Sequence, residues 1–343
     1  IGDTVEFKIT MTIPDYQGSW LSDKLHYNIK DSLTDGLTLD VSSIKLEGTS
    51  INDLFVTNKK CTSTNITTST SGFTLDLYGE DVYQYAGNTI AITYQAKVNE
   101  KAKVNFDSDE NKATLKYSTV ASGTDMSDPM QDITHHYTFG FDTLVNGTGS
   151  EKTTEITKYG VKTTTELDNK VALDGAQFQL FDANGKQLYF TSAGEYTTET
   201  SGTYDYIVSK NNGQLTATGL DAGTYTLKES KAPLGYALDK TTYTIVITPT
   251  YNELTGELKN YTVRVSGATG NSITFTHEKL DNGTINTTDN AANADTFGIN
   301  NTPLITLPET GGAGMIALTV AAVVLMAGFG TMFVSLRKRK QVK

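Results

Sequence analysis

The sequence predicts an all-β protein with two β-sandwich domains, followed by one C-terminal helix that crosses a membrane. Two patterns predict the sandwiches: apolar and polar residues alternate over many short segments, and clusters of Gly, Asn, Asp and Ser separate those segments. An uncharged run of residues close to the C-terminus predicts the helix. Outside that run, no long stretch shows helical periodicity.

The first domain is predicted over residues 1–145, where five segments alternate in the manner of strands with one buried face. These segments are Val5–Ile13, Leu25–Ile29, Phe73–Leu77, Ile90–Tyr94 and Ala113–Tyr117. Pro14 ends the first of them, because proline cannot donate to the ladder of a sheet. The pattern is typical of an antiparallel β-sandwich.

A polar linker around residues 146–150 separates this domain from a second one, predicted over residues 152–304. Alternation places its strands at residues 155–158, 177–181, 224–227, 243–247, 261–265 and 272–275. The segment 281–295 is rich in Asn, Thr, Asp and Ala. We expect that segment to be a long loop with little structure of its own.

The composition limits the classes of function. The chain has 343 residues and a net charge of -11, whereas a nucleic-acid partner needs a basic surface that displaces counterions from phosphate. We therefore exclude nucleic acid. Cys61 is the only cysteine, so no disulfide can form within the chain. The chain begins on a strand pattern at Ile1 with no signal peptide, and we expect it to be the C-terminal portion of a longer precursor.

The sequence contains no pattern that predicts a cofactor or a metal. The segment 107–110 is acidic but lacks the glycine and bidentate glutamate of a calcium loop, so we interpret it as a solvated turn. Neither a phosphate-binding glycine loop nor a hydrolase elbow is present. The four histidines are far apart in sequence and give no zinc-like spacing: His26, His135, His136 and His277.

Three features follow one another in the C-terminal residues 305–343. An apolar segment at residues 313–336 comes before the basic cluster 337–340. About 25 apolar residues at about 1.5 Å each can cross a hydrocarbon layer of about 30 Å, and the basic cluster stays on the cytoplasmic side. The large N-terminal part is therefore expected outside the cell. Ahead of the apolar segment stands the pentapeptide Leu307, Pro308, Glu309, Thr310, Gly311.

This order of features resembles the cell-wall sorting signal of Gram-positive surface proteins. The resemblance implies that a sortase cysteine attacks the carbonyl of Thr310, releases Gly311 and all that follows, and passes the acyl group to an amine. That amine belongs to peptidoglycan or to a neighbouring subunit. The protein would then be extracellular and wall-anchored, and only its precursor would span the membrane. The alternative is an ordinary C-terminal membrane anchor in which the pentapeptide occurs by chance.

Longer segments carry two further resemblances. Residues 171–178 and 219–236 are similar to the collagen-adhesin B-type, prealbumin-like module of Gram-positive pilins. Residues 1–5, 29–37 and 111–117 resemble the isopeptide-forming domain that precedes such a module in fimbrial backbone subunits. The resemblances imply that the sandwiches are immunoglobulin-like or prealbumin-like, with the N-terminal strand of the first one truncated.

Several polar residues fall on the predicted buried faces of strands, namely Lys158, Glu229, Asn301, Asn111 and Asp31. In a strand, such side chains usually face water, so a buried position needs an explanation. For any one of them, the strand could end there and the side chain could emerge at the rim. Their coincidence with functional positions of the resembling family favours a shared role.

The resemblance implies that Lys158 bonds covalently to Asn301, assisted by Glu229. A buried lysine has a lowered pKa and can present a neutral amine, while a buried carboxyl can stay protonated and donate to the Asn carbonyl. The amine attacks, ammonia leaves, and proximity replaces an enzyme. In the first domain, Asn111 matches the bonding Asn and Asp31 the assisting acid, and the lysine partner is expected upstream of the chain.

Two alternatives to these residue assignments stay open. Residues 275–279 also resemble the last strand of the family's module, but they have His277 where the family has the bonding Asn. Lys162 is an alternative to Lys158 as the bonding lysine. Lys8 is not a substitute for the missing lysine of the first domain. Its parity is opposite to that of the apolar residues beside it, so its side chain faces solvent.

These inferences predict a structural, sortase-processed pilus subunit and not an enzyme. The alternative is a monomeric wall-anchored adhesin that binds a host or matrix ligand through the same modules. In the resembling family, polymerising subunits carry a lysine in a Tyr-Pro-Lys motif, and the 343 residues contain none. That motif usually precedes the isopeptide-forming domain, so its absence does not decide between the two.

Overall fold

The computed structural model describes residues 1–15, 24–50, 65–83, 85–120, 125–142, 154–163, 166–199, 203–267, 270–290 and 297–304. These residues form strands β1 to β23 and, within the described ranges, one short helix, α1 at Glu80–Tyr83. The predicted all-β class is confirmed. Residues Ile1–Thr302 make one compact unit.

The described residues in the N-terminal half of the compact unit form ten strands. They are β1 Thr4–Thr12, β2 His26–Leu33, β3 Leu37–Leu46, β4 Thr49–Ser50, β5 Asn65–Ser69, β6 Gly72–Tyr78, β7 Thr89–Val98, β8 Asp109–Tyr117, β9 Met130–His136 and β10 Phe139–Phe141. One sheet has the order β1-β7-β3-β4 and a second has the order β5-β6-β2-β8-β9, with antiparallel neighbours throughout. All five predicted strand segments lie in these two sheets.

The two sheets enclose a common core. In β1 the buried residues are Phe7 and Met11, and in β2 they include Tyr27 and Ile29, as the period-two pattern predicts. Phe7 stacks on Tyr94 of β7 with ring centroids 5.2 Å apart. Burial of these apolar side chains is the main stabilising contribution to such a sandwich.

In the C-terminal half, the part of the chain that the structure describes forms thirteen strands. They are β11 Ile156–Thr163, β12 Glu166–Ala172, β13 Gln177–Phe181, β14 Tyr189–Phe190, β15 Tyr196–Thr197, β16 Ile207–Val208, β17 Ala217–Leu220, β18 Gly223–Lys231, β19 Thr242–Tyr251, β20 Leu258–Ser266, β21 Ser272–Lys279, β22 Ile285–Asp289 and β23 Phe297–Asn301. A three-stranded sheet has the order β12-β11-β23, and a seven-stranded sheet has the order β16-β13-β18-β19-β20-β21-β22. A single apolar cluster receives side chains from both of these sheets.

The junction of the two halves is more continuous than the sequence pattern indicates. Strand β10 pairs with β17, and the side chains of Phe106, Phe139 and Phe141 belong to the core of the C-terminal half. The rings of Phe106 and Phe139 each lie 5.4 Å from that of Tyr261. The domain boundary near residue 145 stays a prediction, because the residues just before it are buried together with those after it.

Two expectations from the sequence are wrong. The segment 281–295 contains β22, which pairs with β21, because the outer edge of β21 offers backbone groups to a Thr-containing stretch. The acidic segment 107–110 is not a solvated turn, since Asp109 is buried at the start of β8. Its carboxylate accepts hydrogen bonds from Thr34 Oγ1 at 2.7 Å and from the backbone N–H groups of Gly36 and Lys103 at 3.2 and 2.7 Å.

Within the described ranges, no helix is long and apolar enough to cross a membrane. The predicted spanning segment 313–336 lies outside those ranges, as does the pentapeptide at residues 307–311.

Candidate functional site

Strand β11 brings Lys158 into the interior of the C-terminal half. Its inward residues Ile156 and Lys158 are both 0% exposed, as the shared parity predicts. The Lys158 N–H donates to Gly213 O at 2.7 Å. Gly213 has φ +82°, and a Cβ there would lie 2.4 Å from Lys158 O, so this close approach requires glycine.

Asn301 comes from the parallel neighbour β23. In the register of the two strands, Lys158 is opposite Ile299 and Gly160 is opposite Asn301. Asn301 is 1% exposed, and the Lys158 ammonium donates to its Oδ1 at very short range. Lys158 Nζ also donates to Ile299 O at 3.2 Å. The amine and the amide are therefore in contact, although 143 positions separate the residues in the chain.

Glu229 reaches the same point from β18 of the facing sheet. Its Oε1 accepts a hydrogen bond from Asn301 Nδ2 at 2.9 Å and lies 3.5 Å from Lys158 Nζ. Its Oε2 accepts from the Asp239 N–H at 2.6 Å. The carboxylate thus contacts both the Lys158 amine and the Asn301 amide. The sequence-based interpretation directs the carboxyl at the amide oxygen, whereas in the structure Oε1 faces the amide nitrogen.

The surroundings of Lys158 favour its neutral form. Burial lowers the pKa of the Lys158 ammonium from 10.5 to about 8, and the carboxylates of Glu229 and Asp239 act in the opposite direction. The Phe178 ring centroid lies 5.9 Å from Nζ. At neutral pH, about a tenth of such amines are neutral, compared with less than about one in a thousand for an ordinary lysine. The site can therefore present a nucleophilic nitrogen to an amide carbon.

The first-half candidates also meet in the interior, through a residue that sequence reasoning did not single out. Tyr94 OH donates to Asp31 Oδ2 at 2.6 Å and accepts from Asn111 Nδ2 at 2.7 Å. Burial raises the pKa of the Asp31 carboxyl to about 6. Among the described residues, Asp31 Oδ1 and Asn111 Oδ1 have no hydrogen-bond partner. The two oxygens are thus available to a donor.

The remaining candidate residues from the sequence, where the structure describes their side chains, do not contribute contacts to the Lys158 site. Lys8 is exposed, as its parity predicts. His277 is fully buried, and its Nε2 lies 2.8 Å from Glu155 Oε1, so its ring is committed to that carboxylate and not to Lys158. The side chain of Lys162 falls outside the described residues. Among the described residues, no group of three His, Cys, Asp or Glu side chains is close enough to hold a metal.

Sequence reasoning missed the partners that hold these residues. Tyr94 has the pattern of a strand core residue, and its hydroxyl contact crosses between sheets, which alternation cannot reveal. Asp239 and Tyr243 hold Glu229 in place through a turn. The Asp-Lys-Thr sequence from Asp239 to Thr241 is a turn signal that could have pointed to them.

Two family models match parts of the chain. Residues 153–262 match the family SpaA, described as a prealbumin-like fold domain, and residues 299–343 match the LPXTG cell wall anchor motif. The chain is therefore an extracellular protein anchored to the cell wall. An anchor of this class is processed by a sortase.

One curated relative is a streptococcal surface protein. The trypsin-resistant surface T6 protein of Streptococcus pyogenes serotype M6 is 25% identical over 291 residues, which are 81% of this chain and 46% of that protein. The chain thus spans about half of the length of this curated relative. The family matches show that the chain combines a prealbumin-like fold domain with an LPXTG cell wall anchor motif.

A solved structure, that of the T6 backbone pilin, shows the same fold. The T6 backbone pilin of serotype M6 Streptococcus pyogenes superposes with a TM-score of 0.54 at 18% identity, over 89% of this chain and 66% of that one. The group B streptococcus pilus 2b backbone protein has a TM-score of 0.49 at 22% identity, over 90% of this chain and 96% of that one.

Proposed function

We propose that the chain is a structural subunit of a covalently assembled pilus, joined to its neighbours or to peptidoglycan through Thr310 by a sortase. The observation that carries the proposal is the combination, in one chain, of the wall anchor motif with a fold that the T6 backbone pilin shares. The name of the relative says that it is a backbone pilin. That this chain serves as a pilus subunit in the same way is part of the proposal.

The assembly is tested on cell walls. Boiled wall extracts from the cells that naturally produce the protein should show, on immunoblots, a ladder of multimers that survives denaturant, because sortase links are amide bonds. Deletion of residues 307–311 should abolish the ladder and leave monomer in the membrane fraction. A single wall-linked monomer band from the unaltered protein would contradict the pilus proposal and support a monomeric adhesin.

We also propose that Lys158 and Asn301 join in an intramolecular amide. Neutral Lys158 Nζ attacks Asn301 Cγ, and Glu229 Oε1, which lies 3.5 Å from Nζ, takes the proton that the new C–N bond displaces. Because Oε1 is also 2.9 Å from Asn301 Nδ2, it can return that proton to the leaving nitrogen. The C–Nδ2 bond breaks and ammonia departs, so the atoms and charges balance.

Mass spectrometry of the intact chain tests this bond. The folded chain should weigh one ammonia less than its sequence mass, and Lys158→Ala or Glu229→Ala should restore the full mass. Lys162→Ala is the matched control, because it removes the competing lysine from the same strand and should leave the mass deficit unchanged. A deficit that persists in Lys158→Ala and vanishes in Lys162→Ala would move the assignment to Lys162.

For the first half, we propose that Asn111 and Asp31 serve a lysine upstream of Ile1. The unpartnered oxygens Asp31 Oδ1 and Asn111 Oδ1 support this proposal, since an ammonium that reached them would satisfy both.

A further inference from the structure

The acid of the Lys158 site is itself held by a turn. Asp239 N–H donates to Glu229 Oε2 at 2.6 Å, and Asp239 Oδ1 accepts from the Thr241 N–H at 2.9 Å. The hydroxyl of Tyr243, on β19, donates to Asp239 Oδ2 at very short range. Tyr243 is 6% exposed and packs edge-on against Phe297 of β23, with ring centroids 5.8 Å apart. A rigid strand residue therefore fixes the turn.

The same turn borders both partners of the bond. The N–H of Ala237 donates to Thr302 O at 2.9 Å, directly after Asn301. Residues 237–241 and 300–302 line an open cavity of 540 Å³. The turn thus contacts the acid on one side and the strand of the amide on the other, next to a space that a departing ammonia can enter.

The occupied Oε2 has a chemical consequence. A carboxylate that can rotate would present either oxygen, or neither, to the amide nitrogen. With Oε2 engaged by the Asp239 N–H, Oε1 is the oxygen left to serve Lys158 Nζ and Asn301 Nδ2, and both contacts are observed on that atom. Proton transfer needs such alignment within hydrogen-bond reach.

We propose that Asp239, fixed by Tyr243, is a positioning residue for the Lys158–Asn301 reaction, because it holds Glu229 with Oε1 facing both reacting nitrogens. This inference rests on the intramolecular bond proposed above. Asp239 touches neither reacting nitrogen in the contacts described, and it acts through Glu229. Its negative charge also favours the protonated form of Lys158.

The two properties of Asp239, position and charge, predict different changes in the rate of bond formation. Tyr243→Phe loosens the turn without changing its charge, so bonding should be about tenfold slower with the same pH midpoint, near 8. Asp239→Ala loosens the turn and removes the charge, so bonding should be slower and the midpoint should move to lower pH. Asp239→Asn keeps the Oδ1 acceptor for Thr241, and its Nδ2 can donate to the Tyr243 hydroxyl oxygen, so it should restore the rate while keeping the lowered midpoint.

The experiment follows ammonia loss in the full chain. Unreacted chain, collected unfolded and refolded by dilution into detergent across the range from neutral to alkaline pH, is quenched at intervals and weighed. Tyr225→Phe is the matched control, because its hydroxyl donates to Asp221 O at 2.8 Å on the same domain, and it should bond at the unaltered rate. The melting temperature of the bonded product is measured for each variant. Equal melting temperatures would show that a slower variant has a slowed reaction and not a damaged fold.

The outcomes separate a failure of the positioning role of Asp239 from a failure of the proposed Lys158–Asn301 bond. If the unaltered chain loses no ammonia, the proposed bond does not form. If the unaltered chain reacts and Tyr243→Phe and Asp239→Ala react at its rate with its midpoint, the bond stands and the positioning role of Asp239 is overturned.

Discussion

A lysine ammonium with no exposed surface loses the water that would stabilise its charge. Lys158 is in this position, and Glu229 at 3.5 Å offsets only part of the loss. Within the proposal of an intramolecular bond, the unbonded pair is a desolvated state of higher free energy. An amide with Asn301 removes the amine charge entirely, which is a thermodynamic reason for the reaction to proceed once the core has closed.

Asp31 gives a second prediction for single residues. Its pKa of about 6 in the folded state is above the ordinary 3.8, so the folded state binds the proton more tightly between these values. As pH rises through that window, the free energy of unfolding should fall by about 3 kcal/mol, and Asp31→Asn should remove this slope. Fluorescence of Trp20, the only tryptophan, during urea unfolding across that pH window measures it. Equal slopes in both proteins would contradict the prediction.

The residues of the Lys158 site could be predicted because each departs from its strand's pattern. Lys158, Glu229 and Asn301 all lie on buried parities, and alternation reveals such exceptions directly. The supporting contacts could not be predicted, because they depend on which strands face each other. Tyr94 and Tyr243 look like ordinary core aromatics in sequence, and their hydroxyl partners are fixed only by packing between sheets or around a turn.

At the level of the strands, two buried carboxylates, Asp142 and Glu155, hold the connection between β10 and β11. We call this pair the junction latch. The Asp142 N–H donates to Glu155 Oε2 and the Glu155 N–H to Asp142 Oδ1, both at very short range. Asp142 also accepts from the N–H groups of Ile156 and Leu215, each at 2.9 Å. Burial, followed by the Glu155 carboxylate, raises the pKa of Asp142, and these amides oppose that rise.

The latch predicts a measurable local effect. Asp142→Asn places an amide NH₂ against the N–H of Leu215 or of Ile156, so one buried N–H loses its acceptor, at about 2 kcal/mol. Hydrogen exchange in β11 and β17 should accelerate by about 30-fold. Asp182→Asn is the matched control, since Asp182 uses only Oδ1 to hold the N–H groups of Asn184 and Lys186. Unchanged exchange at Leu215 would show that the latch adds nothing.

Element prediction from sequence succeeded where a strand has one buried and one solvated face. It failed for β22, which is exposed along most of its length and has no alternation, since it is stabilised by pairing with β21. It also missed the role of β10, whose three residues are all buried. A short, uniformly apolar segment does not reveal which of two cores receives it.

For the whole molecule, the proposed bond closes a loop from Lys158 to Asn301 and restricts the unfolded chain by about 5 kcal/mol on the entropic account of cross-links. Lys158→Ala and Asn301→Ala should each lower the melting temperature by roughly 10 to 20 °C. The double variant should fall little further, because either substitution already prevents the bond. Calorimetry of the three variants and the unaltered chain measures this. A double variant destabilised by the sum of the single effects would indicate independent contacts instead of one bond.

The parallel pairing of β11 and β23 has a consequence for tension along a fibre. The five register pairs, from Ile156 with Phe297 to Gly160 with Asn301, join two strands that run in the same direction. A pull on the chain before β11 and after β23 therefore slides the strands past each other in shear, and all the pairs resist together instead of opening one at a time. With the amide in place, tension passes from one strand to the other at Lys158 and Asn301. The folded chain between those two residues then carries none of the load.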